Sequence, residues 1–244
     1  MAEPLILDIG MHLGEDTEFY LKKGFRVLAV EANPSHAAAC RKAFGGALAD
    51  GRLRIVEAAI ADRDGHVEFY VNLDKDDWSS TDPEYGTRAG TRFEKITVPC
   101  IRFESLLGYV EPGEEVYYVK SDIEGGDIDV LRGMLRCGCR PRYSSFEAHS
   151  SLYACYLAVL GYDRFKLTNQ NLNWAQRCPD PPREGRYAEH VFGPHSSGPF
   201  GEETPGAWMK LDDFMELFMT LERTRRLEPA LTTAWYDIHA KKEA

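Results

Sequence analysis

Short apolar runs and apolar stripes of helical spacing alternate along the first 165 residues of the chain. Runs of about five apolar residues are typical of buried strands, and apolar residues at every third or fourth position are typical of amphipathic helices. Their alternation indicates an α/β fold, in which helices cover a mainly parallel sheet. The predicted sheet strands span residues 5–9, 26–31, 52–60, 115–122, 143–147, 162–167 and 235–240.

Two segments interrupt this alternation. Residues 66–71 and 95–101 alternate with period two around a polar stretch, so we predict a β-hairpin insertion over about 66–101. A second segment, about 168–208, is rich in Pro, Gly, Asn and Ser and has no clear periodicity. Long irregular segments inside a compact domain are usually functional. We therefore predict one domain over residues 1–244, in which the loops 74–94 and 168–207 act as lids over a site.

A glycine turn follows the first predicted strand in the stretch LILDIGMHLGEDT, residues 5–17. Gly10 and Gly14 lie between that strand and the start of a helix, an arrangement in which a nucleotide-like ligand rests against bare backbone. The second strand ends in Glu31, and an acid at this distance from the turn is suited to a ribose diol. Together these features predict an adenosine cofactor.

The spacing of the glycines and the acids around them narrow the class of cofactor. Dinucleotide-binding turns read G-x-G-x-x-G, whereas this turn reads G-x-x-x-G, with Leu13 and Glu15 where a third glycine would fall. Asp8 and Asp16 would repel a pyrophosphate, but they suit an ammonium and a sulfonium. We therefore expect S-adenosylmethionine as cofactor, leaving as S-adenosylhomocysteine, and we regard a nicotinamide oxidoreductase as the weakest alternative.

Further candidate residues follow the fourth and fifth predicted strands. Lys120, Asp122 and Glu124 stand at the end of the fourth strand, and Glu147 and His149 stand at the end of the fifth. Ligands of open α/β sheets lie beyond the carboxyl ends of the strands. We expect one crevice there, faced or bordered by four acids, namely Asp8, Glu31, Asp122 and Glu124.

His149 or Asp122 is the predicted general base for a hydroxyl acceptor, with Lys120 as a catalytic neighbour, because a hydroxyl is a poor nucleophile while protonated. We expect no resident metal. Two alternatives stay open: a non-catalytic module that only binds the cofactor, and transfer assisted by a divalent ion. The residues that would hold such an ion are Asp122, Glu124, Glu147 and His149.

Composition limits the partners. The net charge is −10 and Lys and Arg form no large cluster, so a nucleic acid substrate is disfavoured. No run of 18 apolar residues exists, and we predict no membrane span. The first residues, Met-Ala-Glu-Pro, lack a basic region and an apolar signal core, so we expect a cytoplasmic protein. A homo-oligomer is compatible with the sequence.

These motifs resemble those of the FkbM family of S-adenosylmethionine-dependent methyltransferases over about residues 5–149. The matching stretches are DIGMHLGEDT, VEANP, EAAIAD, the serines at 79 and 80, VPCIRFESLL, VKSDIEGGDIDVLRGM and FEAH. The lysine-x-aspartate-x-glutamate-glycine signature in the sixth stretch is the most specific of them. His12 departs from the family, because many members carry asparagine at that point of the turn.

The resemblance implies an α/β, Rossmann-like class I methyltransferase fold, with a seven-stranded, mostly parallel sheet and an antiparallel last strand. It also implies O-methylation of a hydroxyl on a small molecule, sugar or glycan. Glu31 would take the ribose hydroxyls, Ala59, Ile60 or Asp62 would border the adenine, and Asp122 would lie near the sulfonium. The full predicted cofactor set is Asp8, Gly10, His12, Gly14, Asp16, Thr17, Glu31, Ala32, Ala59, Ile60, Ser79, Ser80 and Asp122.

Overall fold

The computed structural model describes residues 3–231 and 234–243. Within them, the strands are β1 Leu5–Ile9, β2 Arg26–Glu31, β3 Leu53–Glu57, β4 Ala59–Ile60, β5 Gly65–Asn72, β6 Phe93–Ile101, β7 Val116–Ser121, β8 Tyr143–Glu147, β9 Arg164–Asn169 and β10 Tyr236–Lys241. The α-helices are α1 Glu15–Lys22, α2 Pro34–Ala43, α3 Gly45–Ala49, α4 Pro83–Gly86, α5 Phe103–Leu106, α6 Asp127–Cys137, α7 Leu152–Leu160 and α8 Leu211–Leu227.

Seven strands form the main sheet in the order β3-β2-β1-β7-β8-β10-β9. Strand β1 lies parallel to both β2 and β7, whereas β10 runs antiparallel between β8 and β9. This topology confirms the predicted seven-stranded, mostly parallel sheet with an antiparallel last strand. It also brings the carboxyl ends of β1, β2, β7 and β8 to one edge, together with the first residues of β10.

The sheet is buried on both faces, which explains why β1 consists almost entirely of apolar residues. Leu5, Leu7 and Ile9 point into a core formed with α5, α6, α7 and α8. Ile6 points into a second core formed with α1 and α2, which Phe200 of the late irregular segment completes. Alternate side chains of one strand therefore stabilise two layers of helices.

A second, three-stranded sheet in the order β4-β6-β5 stands beside the main one. Strands β5 and β6 pair antiparallel over their whole length and confirm the predicted hairpin insertion. The prediction of one continuous strand over 52–60 is wrong. The chain leaves the main sheet after Glu57, and β4 then pairs parallel with β6. The sequence shows no turn signal such as Gly or Pro between Glu57 and Ala59, so it conceals this change of sheet.

The predicted sixth strand is displaced by two residues, since β9 begins at Arg164 and ends at Asn169. Tyr162 is instead part of the turn, where its hydroxyl donates to the Pro141 carbonyl and contacts Ser144. Helix α8 follows the late irregular segment, and its Phe214 and Phe218 are buried in the core.

The late segment is irregular as predicted, apart from single 3-10 turns at Gln170–Ala175 and Gly201–Glu203. Buried polar contacts hold it against α1. Lys23 donates to both carboxylate oxygens of Glu203 at 2.7 and 2.8 Å, and both side chains are fully buried. In the part of the chain that the structure covers, no helix is both long and apolar enough to cross a membrane.

Candidate functional site

A cavity of about 360 Å³ opens at the edge of the sheet where the parallel strands end. Gly10 follows β1, Glu31 ends β2 and Asp122 follows β7, and all three line it. The volume falls within the usual range of small-molecule sites. The crevice predicted from the strand ends is therefore present, at the place where open α/β sheets bind ligands.

Gly10 is required by the close approach of two chain segments. It adopts φ +86°, and a Cβ there would overlap the carbonyl oxygen of Asp122. Gly14 adopts φ +90° at the start of α1, where a Cβ would meet the ring of Phe44. Gly10 lines the cavity and Gly14 does not. Gly14 thus shapes the turn without facing the site.

Glu31 is a buried carboxylate held in one orientation by backbone amides. Its Oε2 accepts from the amide of His12 at 2.7 Å, and its Oε1 accepts from the amide of Asn33 at 2.8 Å. Burial raises the pKa of Glu31 to about 7, against the opposing effect of these two bonds. A fixed acceptor of this kind at the end of β2 suits a pair of ribose hydroxyls.

Beside Glu31 the wall of the cavity is apolar. Ala32 and Ile60 line it, with Phe69 from the second sheet. Ala59 and its neighbour Ala58 complete this wall, which offers a surface for a flat aromatic base. Asp62, the other residue considered for the adenine, is exposed beside Arg63 and lies outside the lining.

A buried polar group lies beneath the glycine turn. The Thr17 hydroxyl donates to Asp8 at 2.6 Å, and neither residue lines the cavity. The Lys120 ammonium donates to the Gly10 carbonyl at 2.9 Å and lies 3.4 Å from Asp8. Burial raises the pKa of Asp8 to about 6, although Lys120 opposes the shift. Asp8, Thr17 and Lys120 therefore brace the turn, and of these only Lys120 reaches the cavity.

Two further residues of the predicted cofactor set, Asp16 and Ser80, form hydrogen bonds with other residues of the protein. Asp16 lines the cavity, but its carboxylate accepts from the Ser196 hydroxyl at 2.6 Å and from the Ser197 amide at 3.0 Å. It thereby fixes the late segment over the site. Ser79 lines the cavity, whereas Ser80 is buried outside it and donates to the Glu124 carbonyl at 2.7 Å.

Acidic side chains line the cavity beyond Gly10. Asp122, Glu124 and Glu147 are among them, but His149 is not. The Nε2 of His149 lies 2.7 Å from Oε2 of Glu147, a charge contact without hydrogen-bond alignment. Burial lowers the pKa of His149, but Glu147 outweighs this effect and the pKa rises to about 9. His149 therefore stands next to the crevice, in contact with Glu147, but does not itself line the cavity.

The predicted ion ligands are brought together only in part. Donor atoms of Glu124, Glu147 and His149 lie within 4.8 Å of one another, and Asp122 is outside this group. Arg88 already donates to both oxygens of Glu124, at 2.6 and 2.9 Å. Burial and the nearby Glu147 raise the pKa of Glu124 to about 8 despite Arg88.

Sequence reasoning missed several residues that line the site. Asp237 is buried on β10 directly opposite Glu147, and burial raises its pKa well above the usual range. The sequence feature that could have revealed Asp237 is that it is the one acid in the predicted strand WYDIHA. The other residues missed come from loops without a periodic pattern and include Trp78, Arg88, Gln170, His195 and Trp235.

The strand order and the cleft at the strand ends define the class I methyltransferase fold. The family model of the methyltransferase FkbM domain matches residues 8–165, and the chain belongs to this family. The 2-O-methyltransferase NoeI of Sinorhizobium fredii (strain NBRC 101917 / NGR234) is 28% identical over 144 residues, which are 54% of this chain and 57% of that protein. The match thus spans little more than half of that relative.

Two solved structures were also compared. The methyltransferase FkbM from Methylobacillus flagellatus KT aligns with a TM-score of 0.47 and 15% identity, over 68% of this chain and 40% of that one. The precorrin-6y C5,15-methyltransferase from Geobacter metallireducens GS-15 aligns with a TM-score of 0.41 and 12% identity, over 100% of this chain and 82% of that one.

Proposed function

We propose that this protein transfers a methyl group from S-adenosylmethionine to a hydroxyl of a small molecule or sugar. The observation that carries the proposal is the order of groups along one cavity. The strand order places an apolar wall beside β3, Glu31 on β2, Gly10 on β1 and then carboxylates on β7, β8 and β10. This order matches a base, a ribose, a cationic sulfur and a polar acceptor.

The residues present fit the cofactor. Glu31 is a preset acceptor for the ribose hydroxyls, and the apolar wall suits the adenine. Asp122 and its acidic neighbours favour a sulfonium and an ammonium over a pyrophosphate. When bound, S-adenosylmethionine supplies a methyl group already activated on sulfur, so the protein has to align the acceptor and exclude water.

Asp122 is the residue that we propose as the general base. Its backbone abuts Gly10, which places it beside the glycine turn, and the residue lines the cavity. No group among residues 3–231 and 234–243 donates a hydrogen bond to that carboxylate. A base with free acceptor capacity within hydrogen-bond reach of a hydroxyl takes up its proton during transfer. Glu147 and Asp237 lie on the adjacent strands and would orient the acceptor.

A hydroxyl acceptor is further supported by the related protein, whose name describes a 2-O-methyltransferase. The acceptor side of the cavity carries carboxylates together with Gln170 and the rings of Trp78 and Trp235. Polar groups that converge between apolar surfaces suit a compact polyhydroxylated molecule.

The proposal is tested with purified protein and S-adenosylmethionine carrying a radiolabelled methyl group. We expect calorimetry to show binding of the cofactor, and a panel of sugars and hydroxylated small molecules to yield an alkali-stable methyl ether. Binding without transfer to any member of a broad panel would favour the non-catalytic module. Absence of cofactor binding would overturn the proposal itself.

Glu31→Gln is expected to weaken S-adenosylmethionine binding by about 10- to 100-fold, since a hydrogen bond to a charged group contributes about 1.5–3 kcal/mol. Because the pKa of Glu31 is raised to about 7, its carboxyl is protonated below that pH. Wild-type affinity should therefore fall as the pH drops below 7, and the variant should lack this dependence. Calorimetry across this pH range measures both effects.

Glu57→Gln is the matched control for this prediction. Glu57 ends the neighbouring strand β3 in register with Glu31, but it pairs with Arg41 and does not line the cavity. The control should bind the cofactor like the wild type. Equal losses in the two variants would contradict the assignment of Glu31.

Metal-assisted transfer is the second candidate, favoured by the grouping of donor atoms from Glu124, Glu147 and His149. An ion there would have to displace Arg88 from Glu124, which makes this arrangement the weaker of the two. We expect turnover to persist in a chelator. Loss of turnover that Mg²⁺ restores would establish the metal-assisted reaction instead.

A further inference from the structure

A second group of potential ligands lies at the rim of the cavity, apart from the proposed base. His12 comes from the glycine turn, His36 from the first turn of α2, and Asp76 from the loop between β5 and β6. One donor atom from each residue lies within 4.8 Å of the other two. Three segments distant in the chain thus converge on one point.

The distances between these donors suit a shared cation better than direct bonds. The Oδ2 of Asp76 lies 3.5 Å from Nε2 of His12 and 3.6 Å from Nε2 of His36. Both separations are too long for a normal hydrogen bond. Ligands at about 2.0–2.2 Å from a tetrahedral zinc ion lie about 3.3–3.6 Å apart.

His12 has an unsatisfied ring. Both ring nitrogens are buried and lack a hydrogen-bond partner among the described residues. Burying polar atoms without partners costs free energy, which a bound ion at Nε2 would offset. The remaining nitrogen, Nδ1, lies 3.4 Å from the carboxylate of Glu15. A carboxylate next to the second ring nitrogen is a common feature of histidines that ligate metals.

The backbone conformation of His12 is a further argument for a role of its side chain. It adopts φ +51°, a left-handed conformation that is uncommon for residues other than glycine, although Asn, Asp and His take it more often than most. Such strain at a histidine suggests that the ring is needed there. His36 adds a second imidazole beside it, since the centroids of the His12 and His36 rings lie 4.7 Å apart.

We propose that His12, His36 and Asp76 bind one divalent first-row transition ion, with Zn²⁺ the best fit. Two imidazoles and one carboxylate favour such an ion over Mg²⁺, which prefers oxygen ligands alone. The ion would join the loop before α4 to the glycine turn and so hold the rim of the cavity closed. The site is distinct from the group of Glu124, Glu147 and His149, and it does not depend on the proposed methyl transfer.

The test is metal titration of the full chain after removal of metals by chelation. Calorimetry with Zn²⁺ should give one site, and Co²⁺ should give the visible absorption of a tetrahedral complex. His36→Ala and Asp76→Asn should each weaken Zn²⁺ binding by at least about 100-fold, whereas Glu15→Gln should weaken it by about 10- to 100-fold. His12→Asn is a further ligand variant that tolerates the left-handed backbone.

Two control variants keep the result specific. His66→Ala removes an exposed histidine of β5, and Glu147→Gln disables the other potential metal group. Both should bind Zn²⁺ like the wild type. Unchanged binding in His36→Ala and Asp76→Asn, or loss of binding in Glu147→Gln, would overturn the proposal. Zn²⁺ should also slow tryptic cleavage at the exposed Lys75 next to the site, in the wild type but not in His36→Ala.

Discussion

Asp122→Asn is expected to lower kcat by about 100- to 10,000-fold with the acceptor that the panel identifies, because general-base catalysis contributes about this much. The amide keeps the size of the side chain but cannot take up a proton. Cofactor binding should change far less, since Glu31 and the glycine turn stay intact. Steady-state kinetics combined with cofactor calorimetry measures the two effects separately.

Comparison with other variants decides between the two bases that the sequence suggested. Asp62→Asn removes an exposed acid outside the lining and should leave turnover unchanged. His149→Gln should lower turnover less than Asp122→Asn, because His149 contacts Glu147 but does not line the cavity. Since the pKa of His149 is raised to about 9, a base at that position would give rates that climb with pH and level off above 9. If the wild type showed this pH profile and His149→Gln did not, His149 and not Asp122 would be the general base.

The centre of the main sheet was predictable because β1 and β2 are buried on both faces and are therefore largely apolar. The N- and C-terminal limits of β1 and β2 were predicted to the residue. The break between β3 and β4 was not, because local periodicity does not distinguish strands of two different sheets. Where the chain leaves the main sheet, the Ala58 amide donates to the carbonyl of Glu31, which lies more than twenty positions earlier in the sequence. A local pattern carries no information about such a distant partner.

The same limit applies to the site. Glu31 and Asp122 could be predicted because the carboxyl ends of parallel strands meet at one edge of the sheet. Strand alternation could not decide whether His149 faces the cavity, because β8 ends at Glu147. Asp237 could not be foreseen beside Glu147, since only the insertion of β10 between β8 and β9 brings the two together.

The grouping of side chains from different loops was the part of the site that the sequence could not predict. His36 and Asp76 lie in segments whose amino-acid pattern is compatible with ordinary solvated surface, and they meet only because the hairpin insertion folds back over the glycine turn. His12 was visible as a departure from the family, yet its neighbours were not. A cluster assembled from three separated segments leaves no spacing that a motif would detect.

Gly10→Ala is expected to destabilise the protein and to abolish measurable cofactor binding. An alanine at φ +86° pays about 1–2 kcal/mol for the left-handed conformation. Its Cβ would also overlap the Asp122 carbonyl oxygen, and forcing this backbone apart should cost about 1–3 kcal/mol more. The displacement moves Asp122 away from the glycine turn, so binding and turnover should be lost together. Chemical denaturation measures the free energy of unfolding, and calorimetry measures binding.

Gly51→Ala is a control that separates the cost of the left-handed backbone conformation from the cost of the overlap with Asp122. Gly51 adopts a similar φ of +75°, but a Cβ there meets no atom within 4 Å. This control should therefore lose only the conformational part and bind the cofactor like the wild type. The difference between the two variants isolates the contact between the first strand's turn and the end of β7. If both variants lost the same stability and Gly10→Ala still bound the cofactor, that contact would not be what shapes the cleft.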